Sequence, residues 1–589
     1  MEKEQFLQVY RHSMAHILAK AVIEIFGKEN VQYAIGPQIA DGFYYDFVLP
    51  RTITNDDFKT IEDKMHEILK RKEDWTRKEV SRAEALDIFK DQKFKTELIE
   101  DLPEDEKITI YYTGDDYVDL CTGPHVDNSA ELLNVAFEIK SSSGSYWRGD
   151  ENREQLQRIY VYAFPSKQEL KEHKKLIKEA MERDHKKLGK QLDLFMFDPS
   201  APGMPFWLPR GWKLFNALMA FWRKIHDAHD YMEISGPVIS GKEIWETSGH
   251  WGHYVQNMFI IPAGNEGDRV FACKPMNCPN AILVYKRDVR SYKDLPFRIS
   301  QTDVIHRREK SGELNGLFRV QMFRQDDAHI LLKEDQIGDE IADIMSIAEK
   351  IYGTFGLTYK AELSTRPDDF MGDIETWNRA EADLKAILDK VYGEGNYEIN
   401  EGDGAFYGPK IDLKMTDALG REWQMGTIQL DFQLPLNFDC KYTDEDGVQK
   451  MPVMLHRAIF GSVERFIGIL TENFKGAFPF WLNPYQVAVV PIRQEHNEYA
   501  KKVVSALTDA GIRVEADYTD KNMREKIKNY KNYKDPYILV VGDKEAAENT
   551  VSINLRGSNK QVQNVPLDKF IEVCKKQNEE YTLDLVTEF

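Results

Sequence analysis

Between about residue 270 and residue 480, β-like runs alternate with long helical patterns, and this alternation limits the folds open to the chain. The β-like runs include "FRVQMFRQ" (318–325) and "REWQMGTIQLDF" (421–432), and the helical patterns include "IGDEIADIMSIAEKIYGTF" (337–355). Elements interspersed in this way bury their apolar faces when helices stack against a sheet. The stretch therefore predicts a large antiparallel sheet backed by helices.

The regions on either side predict further domains. Residues 1–165 mix amphipathic helix with short β-branched and aromatic runs, which is typical of a compact α+β domain, and residues 166–196, rich in Lys, Glu and Leu, predict an exposed linker helix. Residues 483–589 alternate strand and helix at βαβ spacing, which predicts a small parallel or mixed α/β domain after a central domain at 197–482. We therefore expect a multidomain α+β protein.

Composition excludes several classes of protein. The five cysteines are widely spaced and lack a CxxC pair, so they do not form a disulfide framework. Residues 1–20 are charged and amphipathic, so we expect no signal sequence, and the sequence contains no apolar run of about 18 residues. A formal net charge of −20 argues against general polyanion binding, because such binding depends on Lys and Arg neutralising phosphates. We expect a soluble cytoplasmic protein without membrane or DNA partners, with basic stretches only at 167–190 and 521–534.

Four polar residues in the N-terminal domain form a candidate site. His12 and His16 are four apart in a helical pattern and so share one face, and Cys121 and His125 belong to "DLCTGPHV" (119–126). A His/His/Cys/His set can hold zinc or can serve as a metal-free hydrolytic pocket. The spacing does not decide between them.

Arginines dominate a second candidate site. Two strands joined by the loop after "HRRE" (306–309) would direct Arg307 and Arg319 at one polyanion, since Arg binds phosphate through two parallel hydrogen bonds. A salt-bridged sheet surface is the alternative. "LHRAIFGSVERFIGIL" (455–470) predicts an apolar helix carrying His456, Ser462, Glu464 and Arg465, in which either Glu464 or a phosphate would pair with Arg465.

A third candidate site is distributed over the central domain. Cys278 in "KPMNCPN", His329 in "DDAHI" and His456 make a Cys/His/His set. Three protein ligands with an open fourth position are typical of a catalytic zinc site.

The strings that carry these residues resemble the motifs of class II aminoacyl-tRNA synthetases. The helix before "SGPVIS" (235–240), with Pro237, is similar to motif 1, "HRRE" with Phe318 and Arg319 to motif 2, and "GSVERFIGIL" (461–470) to motif 3. "ETSGHWGHY", "KPMNCPN", "FRQDDAHI", "FYGPKIDL" and "LHRAIFGSVERF" resemble the threonyl-tRNA synthetases in particular, and "RHSMAHILAKAV" with "CTGPHV" resembles the editing domain of that family. The resemblance covers nearly the whole chain.

The resemblance implies an N-terminal α+β editing domain, a class II antiparallel sheet with helices and a C-terminal α/β anticodon-binding domain. It implies an ATP-dependent ligase that joins threonine to tRNA(Thr) and hydrolyses mischarged seryl-tRNA(Thr). The implied cofactors are one zinc ion per subunit and Mg²⁺ with ATP, and motif 1 implies a homodimer. The implied site residues are, for catalysis, Arg307, Arg465, His250 and Lys410; for ATP, Arg307, Glu309, Arg319, Gln424 and Arg465; for threonine, Gln325, Asp327, Tyr407, Gln429 and Ser462; for zinc, Cys278, His329 and His456; and for editing, a metal-free pocket of His12, His16, Cys121 and His125.

The chain also departs from the family it resembles. Members usually carry a small ubiquitin-like domain before the editing domain, whereas this chain starts at the editing domain, so we expect that module to be absent. A synthetase-like regulatory RNA-binding protein without turnover is the competing hypothesis. Retention of Arg307, Glu309, Arg319 and Arg465 argues against it.

Overall fold

The computed structural model describes residues 3–104, 106–262, 269–417 and 419–589. The chain splits into two compact units, Met1–Glu179 and Ala180–Phe589. Among the described residues, no helix combines the length and the apolar character that a bilayer crossing requires.

The first unit is built around one buried helix. Helix Lys3–Phe26 is buried at every position from 13 to 22 and packs against helix Asn55–Lys70 and strand Gly42–Val48. The main antiparallel sheet has the order Gln32–Tyr33, Gly42–Val48, Gln155–Phe164 and Ala136–Tyr146, with Gln38–Ile39 paired to Gly42–Val48. A second antiparallel sheet contains Trp75–Val80, Ile108–Thr113 and Tyr117–Leu120, and the other helices that begin here are Asn55–Lys70, Arg82–Ile88, Lys93–Glu100 and Lys167–Arg183. This is the predicted α+β fold.

The predicted single linker helix is two helices. Lys167–Arg183 ends before Asp184, and a second helix, His185–Gln191, follows. The Asp184 carboxylate accepts hydrogen bonds from the backbone N–H groups of Lys186 and Lys187, which is an N-cap that starts the second helix. The second helix is also not exposed throughout, because His185 and Leu188 are buried.

The second unit contains the large sheet that the sequence predicts. Its strands follow the order Met232–Glu233, Phe297–Gln301, Met322–Leu332, Val453–Ser462, Glu422–Asp431, Lys410–Thr416, Tyr359–Ser364 and Glu398–Asn400, with Val304–His306 paired to Met322–Leu332. Neighbouring strands are antiparallel except for the outermost pair at each end, which is parallel. The prediction of a large antiparallel sheet is confirmed.

Helices cover one face of this sheet. Every second side chain of the central strands, such as Ile330 and Leu455, packs into one hydrophobic core with helices Pro209–Asp227, Ile337–Thr354 and Val463–Asn473. The remaining helices before residue 480 are His185–Gln191, Lys242–Thr247, His250–His253, Cys278–Tyr285, Ile374–Tyr392 and Gln433–Asn437. The short strands are Phe195–Met196 with Phe206–Trp207, Ile239–Gly241 and Ile260–Pro262 with Val270–Cys273, and Tyr442–Thr443 with Gln449–Lys450. The other face of the sheet carries the polar residues described below.

The C-terminal part of this unit has the predicted mixed α/β fold. Its sheet has the order Val514–Ala516, Val487–Pro491, Tyr537–Val541, Thr550–Leu555 and Gln561–Pro566, and its helices are Asn497–Asp509, Met523–Asn532, Asp543–Glu548 and Leu567–Glu580. The first two pairings are parallel and the last two are antiparallel.

Candidate functional site

One row of polar side chains crosses four neighbouring strands of the large sheet. The strand register places Lys410 opposite Gln429, Gln429 opposite His456, and His456 opposite His329. Side chains two residues apart in a strand point to the same face, so Asp327 lies on the same face as His329. His456 is therefore on strand Val453–Ser462, and the prediction that it belongs to an apolar helix is wrong.

Cys278 completes a cluster with the two histidines of this row. It lies at the start of helix Cys278–Tyr285, and the ligand atoms of Cys278, His329 and His456 all lie within 4.8 Å of one another. The Asp431 carboxylate contacts Nε2 of His456 at 2.8 Å, and Nδ1 of His329 is buried with no hydrogen-bond partner among the described residues. The cluster offers one sulfur and two imidazole nitrogens, which fit a zinc ion. The Nδ1 of His329, unpartnered among the described residues, and the orientation of the His456 ring by a carboxylate support this assignment.

A cavity of about 290 Å³ opens beside this cluster. Its lining includes Cys278, His329 and His456 together with Arg307, Gln325, Asp327, Tyr407 and Gln429. The Tyr407 hydroxyl donates to Oε1 of Gln429 at 2.6 Å, and the Asn277 amide donates to the Asp327 carboxylate at 3.2 Å. The wall therefore combines a carboxylate, an amide pair and a phenol around a space large enough for an amino acid.

A second cavity of about 320 Å³ adjoins the first, since Arg307, Gln325 and Thr427 line both. Glu309, Arg319, Gln424, Ser462 and Arg465 also line it. Burial, with the neighbouring charges of Arg319 and Arg307, lowers the pKa of Arg465. Three convergent guanidinium groups make this cavity a site for a polyanion.

The structure excludes one of the two partners predicted for Arg465, and a phosphate stays the prediction. Glu464 accepts from the backbone N–H of Arg324 at 2.8 Å, whereas Nε of Arg465 donates to the Phe318 carbonyl at 2.9 Å, so Glu464 is not the partner of Arg465. Arg319 contacts Glu309 at 2.9 Å. Arg319 lies in the loop before strand Met322–Leu332, not at the start of the strand.

Lys410 and His250 lie close to these cavities but are held by other residues. Nζ of Lys410 contacts Asp412 at 2.9 Å and Asp403 at 3.1 Å. His250 is fully buried, with Nε2 3.9 Å from Sγ of Cys278, and burial lowers its pKa to about 3. His250 is thus a neutral ring beside the cluster.

Three residues that hold this site together are not among the predicted site residues. Asp412 binds Lys410 and also accepts from Gln424 at 2.6 Å and Thr427 at 2.8 Å. Asp431 orients His456, and Asn277 binds Asp327. Lys410 and Asp412, and likewise Gln429 and Asp431, are two residues apart, so each pair shares one face of its strand, but the sequence pattern does not fix the strand register that brings them to the site.

The first unit brings together the four residues predicted there. Sγ of Cys121 lies 3.3 Å from Nε2 of His12 and 3.1 Å from Nε2 of His125, and the ring centroids of His16 and His125 are 4.2 Å apart. Burial lowers the pKa of His12, His16 and His125 and raises the pKa of the Cys121 thiol to about 12. At neutral pH the cluster therefore consists of neutral imidazoles and a protonated thiol.

A cavity of about 450 Å³ gives access to this cluster, and two charged residues in its wall were missed. Lys95 and Asp119 are both buried and form an ion pair. Asp119 also accepts from the hydroxyls of Tyr45 at 2.6 Å and Tyr117 at 2.9 Å and lies 3.5 Å from Nε2 of His16. Long separation along the chain hides this network from a motif search.

Three family profiles match the chain. They are described as "tRNA synthetase class II core domain (G, H, P, S and T)" over residues 259–474, "Anticodon binding domain" over 486–577 and "Threonyl and Alanyl tRNA synthetase second additional domain" over 108–160.

Curated relatives match along almost the whole chain. The protein named "Threonine--tRNA ligase" of Petrotoga mobilis is 49% identical over 580 residues, which are 98% of this chain and 89% of that protein. The protein of the same name from Thermotoga neapolitana is 47% identical over 590 residues, covering 100% and 91%. The chain belongs to the threonyl-tRNA synthetase family.

Solved structures share part of this fold. The structure described as the RNA binding domain of threonyl-tRNA synthetase from Cryptosporidium parvum Iowa II is 41% identical, with a TM-score of 0.62, and covers 67% of this chain and 98% of that chain. The prolyl-tRNA synthetase of Cryptosporidium parvum is 15% identical with a TM-score of 0.51 over 67% of this chain and 75% of that chain, which shows the fold alone. The predicted family and multidomain α+β class are confirmed.

Proposed function

We propose that this chain is a threonine–tRNA ligase: it activates threonine with ATP, transfers it to tRNA(Thr), and hydrolyses mischarged seryl-tRNA(Thr). We assign residues 1–165 to editing, 166–196 to a linker, 197–482 to catalysis and 483–589 to anticodon binding. The observation that carries the proposal is the Cys278, His329 and His456 cluster, which shares a cavity wall with Arg307.

In activation, the threonine carboxylate attacks the α-phosphorus of ATP, which enters with Mg²⁺, and pyrophosphate leaves. Arg307, which lines both cavities, stabilises the charge that develops between them. Arg319 and Arg465 hold the outer phosphates, and Glu309 accepts from the adenine amine once ATP separates it from Arg319. Gln424 and Ser462 complete the ATP wall, so Ser462, which the resemblance assigned to threonine, is given to ATP here.

Threonine is held by polar groups of the first cavity. Gln325, Asp327 and Tyr407 bind its amino group, and Gln429 fixes Tyr407 through their hydrogen bond. Bound to Cys278, His329 and His456, zinc would offer open coordination to the amino and hydroxyl groups of threonine. A site that requires a hydroxyl rejects valine strongly, whereas serine lacks only one methyl, worth about 1–3 kcal/mol.

A separate editing step is needed because serine keeps the hydroxyl, and the loss of one methyl is too small a difference to exclude it from activation. We assign hydrolysis of the seryl ester to His12, His16, Cys121 and His125, acting without metal on a water molecule. The neutral imidazoles of this cluster present unprotonated nitrogens that can accept a hydrogen bond from that water and orient it.

Transfer and assembly complete the proposal. His250 assists transfer of the threonyl group to the tRNA ribose, and Lys410, held by Asp412, neutralises charge beside the threonine carboxylate. We propose a homodimer through the motif 1 helix Pro209–Asp227, and a cytoplasmic location where tRNA and ATP are available.

The test is amino-acid-dependent ATP–pyrophosphate exchange with threonine, serine and valine, alongside zinc content, for the wild type and Cys278→Ser. We expect exchange with threonine, weak exchange with serine and none with valine. The variant should lose both zinc and exchange. A zinc-replete, folded wild-type protein that catalyses no exchange with any amino acid would refute the ligase and favour the regulatory RNA-binding alternative.

A further inference from the structure

The first residue of the short helix His185–Gln191 contacts the loop that carries Arg319. His185, its first residue, is 1% exposed, although it follows the exposed helix Lys167–Arg183 directly after the Asp184 cap. Both of its ring nitrogens have partners within the second unit. His185 is therefore a buried, fully bonded histidine that is not among the predicted site residues.

The hydrogen bonds of His185 fix its tautomer. The backbone N–H of Leu317 donates to Nε2 at 3.0 Å, so Nε2 carries no proton. Nδ1 therefore carries the proton and donates to Oε1 of Glu472 at 2.8 Å. Glu472 is held in turn by an ion pair with Arg421, which also contacts Asp417 at 2.7 Å. His185 thus links the backbone of the loop at Leu317 to the ion pair of Glu472 with Arg421.

The backbone of the loop comes unusually close to His185. Gly316 has φ +51°, and a Cβ atom there would lie 2.3 Å from Nε2 of His185. Only glycine fits, since any side chain at this position would push the ring and the loop apart. The ring of Phe318 lies 4.0 Å from the ring of His185, between centroids, and Nζ of the adjacent Lys186 donates to Asn315 at 3.1 Å.

The fixed segment touches the phosphate-binding arginines. The Phe318 carbonyl accepts from Nε of Arg465 at 2.9 Å, and Arg319 is the next residue in the chain. Phe318, Arg319 and Arg465 all line the cavity of about 320 Å³. Because the Leu317 N–H and the Phe318 ring are both held by His185, movement of that side chain would move the donor geometry of both arginines.

We propose that His185 is a positioning residue for ATP: its Nε2 holds the Leu317–Phe318 backbone, and through it the orientation of Arg319 and Arg465. The inference rests on the proposed ligase function and deepens it, since it makes the segment after the linker helix part of the ATP site. It predicts that losing the Leu317 hydrogen bond weakens ATP binding and leaves threonine binding intact.

Three substitutions of His185 separate the effect of each hydrogen bond from the effect of the aromatic ring. The oxygen of Gln in His185→Gln can take the place of Nε2 and accept from Leu317, whereas the amide nitrogen of Asn in His185→Asn takes the place of Nδ1 and can donate only to Glu472. His185→Phe keeps the aromatic contact with Phe318 and loses both hydrogen bonds. In threonine-dependent exchange we expect KM for ATP to rise about tenfold in the Asn and Phe variants and less than about threefold in the Gln variant, with KM for threonine and zinc content unchanged in all three.

His496 provides a matched control. It is 5% exposed, its Nδ1 accepts from the Arg493 backbone N–H at 3.1 Å, and its Nε2 contacts Asp543 at 3.0 Å, so it has the same bonding pattern in the C-terminal domain. His496→Phe should leave KM for ATP at the wild-type value. Thermal melting of each variant separates loss of fold from loss of position.

The outcomes distinguish the inference from the proposed function. Absence of exchange in the wild type would overturn the ligase itself. With an active wild type, an unchanged KM for ATP in His185→Asn and His185→Phe, or an equal rise in KM for threonine, would overturn the positioning role. Rescue by Gln with a defect in Phe would support it, because Phe keeps the ring contact with Phe318 and its defect therefore reports the lost hydrogen bond.

Discussion

His329 and His456 lie directly opposite each other on adjacent antiparallel strands, with ring centroids 5.0 Å apart. Two side chains in register on one sheet face have little freedom to separate, because each backbone is fixed by its ladder of hydrogen bonds. Cys278 approaches this pair from a helix, outside the sheet. The proposed zinc site therefore has two ligands fixed by the fold and a third that depends on how that helix packs.

The carboxylate behind His456 gives the first prediction. Asp431→Asn weakens the 2.8 Å contact that orients the His456 ring, so zinc affinity should fall about 10–100-fold. Threonine-dependent exchange should fall in proportion and recover when zinc is added in excess. The measurement is competition with a chelator of known affinity. Asp343→Asn is the control, because Asp343 contacts His229 at 3.0 Å in a similar pair away from the cluster. Equal zinc affinity in the two variants would contradict the role of Asp431.

The sequence alone offers Cys278, His329 and His456 as a candidate set, and only the family resemblance favours them as zinc ligands, for a physical reason. His456 was assigned to a helix because strand Val453–Ser462 is buried on both faces, so it shows no alternation of apolar and polar residues. The partners Asp412 and Asp431 depend on strand alternation within a register that single-sequence patterns do not fix. By contrast, the helix Pro209–Asp227 was predictable, since its apolar stripe has one buried face.

The arginine that lines both cavities gives the second prediction. Arg307→Lys keeps a charge but loses the planar guanidinium, so kcat of threonine-dependent exchange should fall about 100-fold with a smaller change in KM. Steady-state exchange kinetics at saturating threonine measure this effect. Arg298→Lys is the control, since Arg298 on a strand of the same sheet pairs at 2.7 Å with the buried Glu340 of helix Ile337–Thr354, and it should keep exchange within about threefold. A loss confined to KM would mean that Arg307 binds ground-state ATP only.

The buried carboxyl of Glu464 predicts a pH-dependent stability. Burial raises the pKa of Glu464 from 4.5 to about 7, and the side chain is 1% exposed. The folded chain therefore binds this proton more tightly than the unfolded chain, so its contribution to stability is full below pH 4.5 and is lost as pH rises through about 7. The Gln side chain of Glu464→Gln stays neutral at every pH. The melting temperature of the variant relative to the wild type should therefore rise between pH 5 and pH 8, by an amount that corresponds to about 3 kcal/mol of unfolding free energy. A constant difference across this range would contradict the assignment.

A buried serine in the first unit gives the last prediction, because it sets the tautomer of His125. Oγ of Ser13 lies 2.9 Å from the Val9 carbonyl, 3.2 Å from the Val126 N–H and 3.1 Å from Nδ1 of His125. The hydroxyl has one proton, and giving it to Val9 lets Oγ accept from both other groups, which satisfies all three contacts. Nδ1 of His125 is then protonated, and Nε2 faces Cys121 as an acceptor.

Ser13→Ala removes this constraint and lets the proton move to Nε2, where it blocks the acceptor that orients the water in the proposed hydrolysis. We expect deacylation of seryl-tRNA(Thr) to slow about tenfold or more, with kcat affected and KM nearly unchanged, while threonine activation is unaffected. Ser129→Ala is the matched control, since Ser129 is also fully buried in this unit and its hydroxyl has no hydrogen-bond partner among the described residues. Similar deacylation by the two variants would show that the Ser13 contact does not control the tautomer of His125.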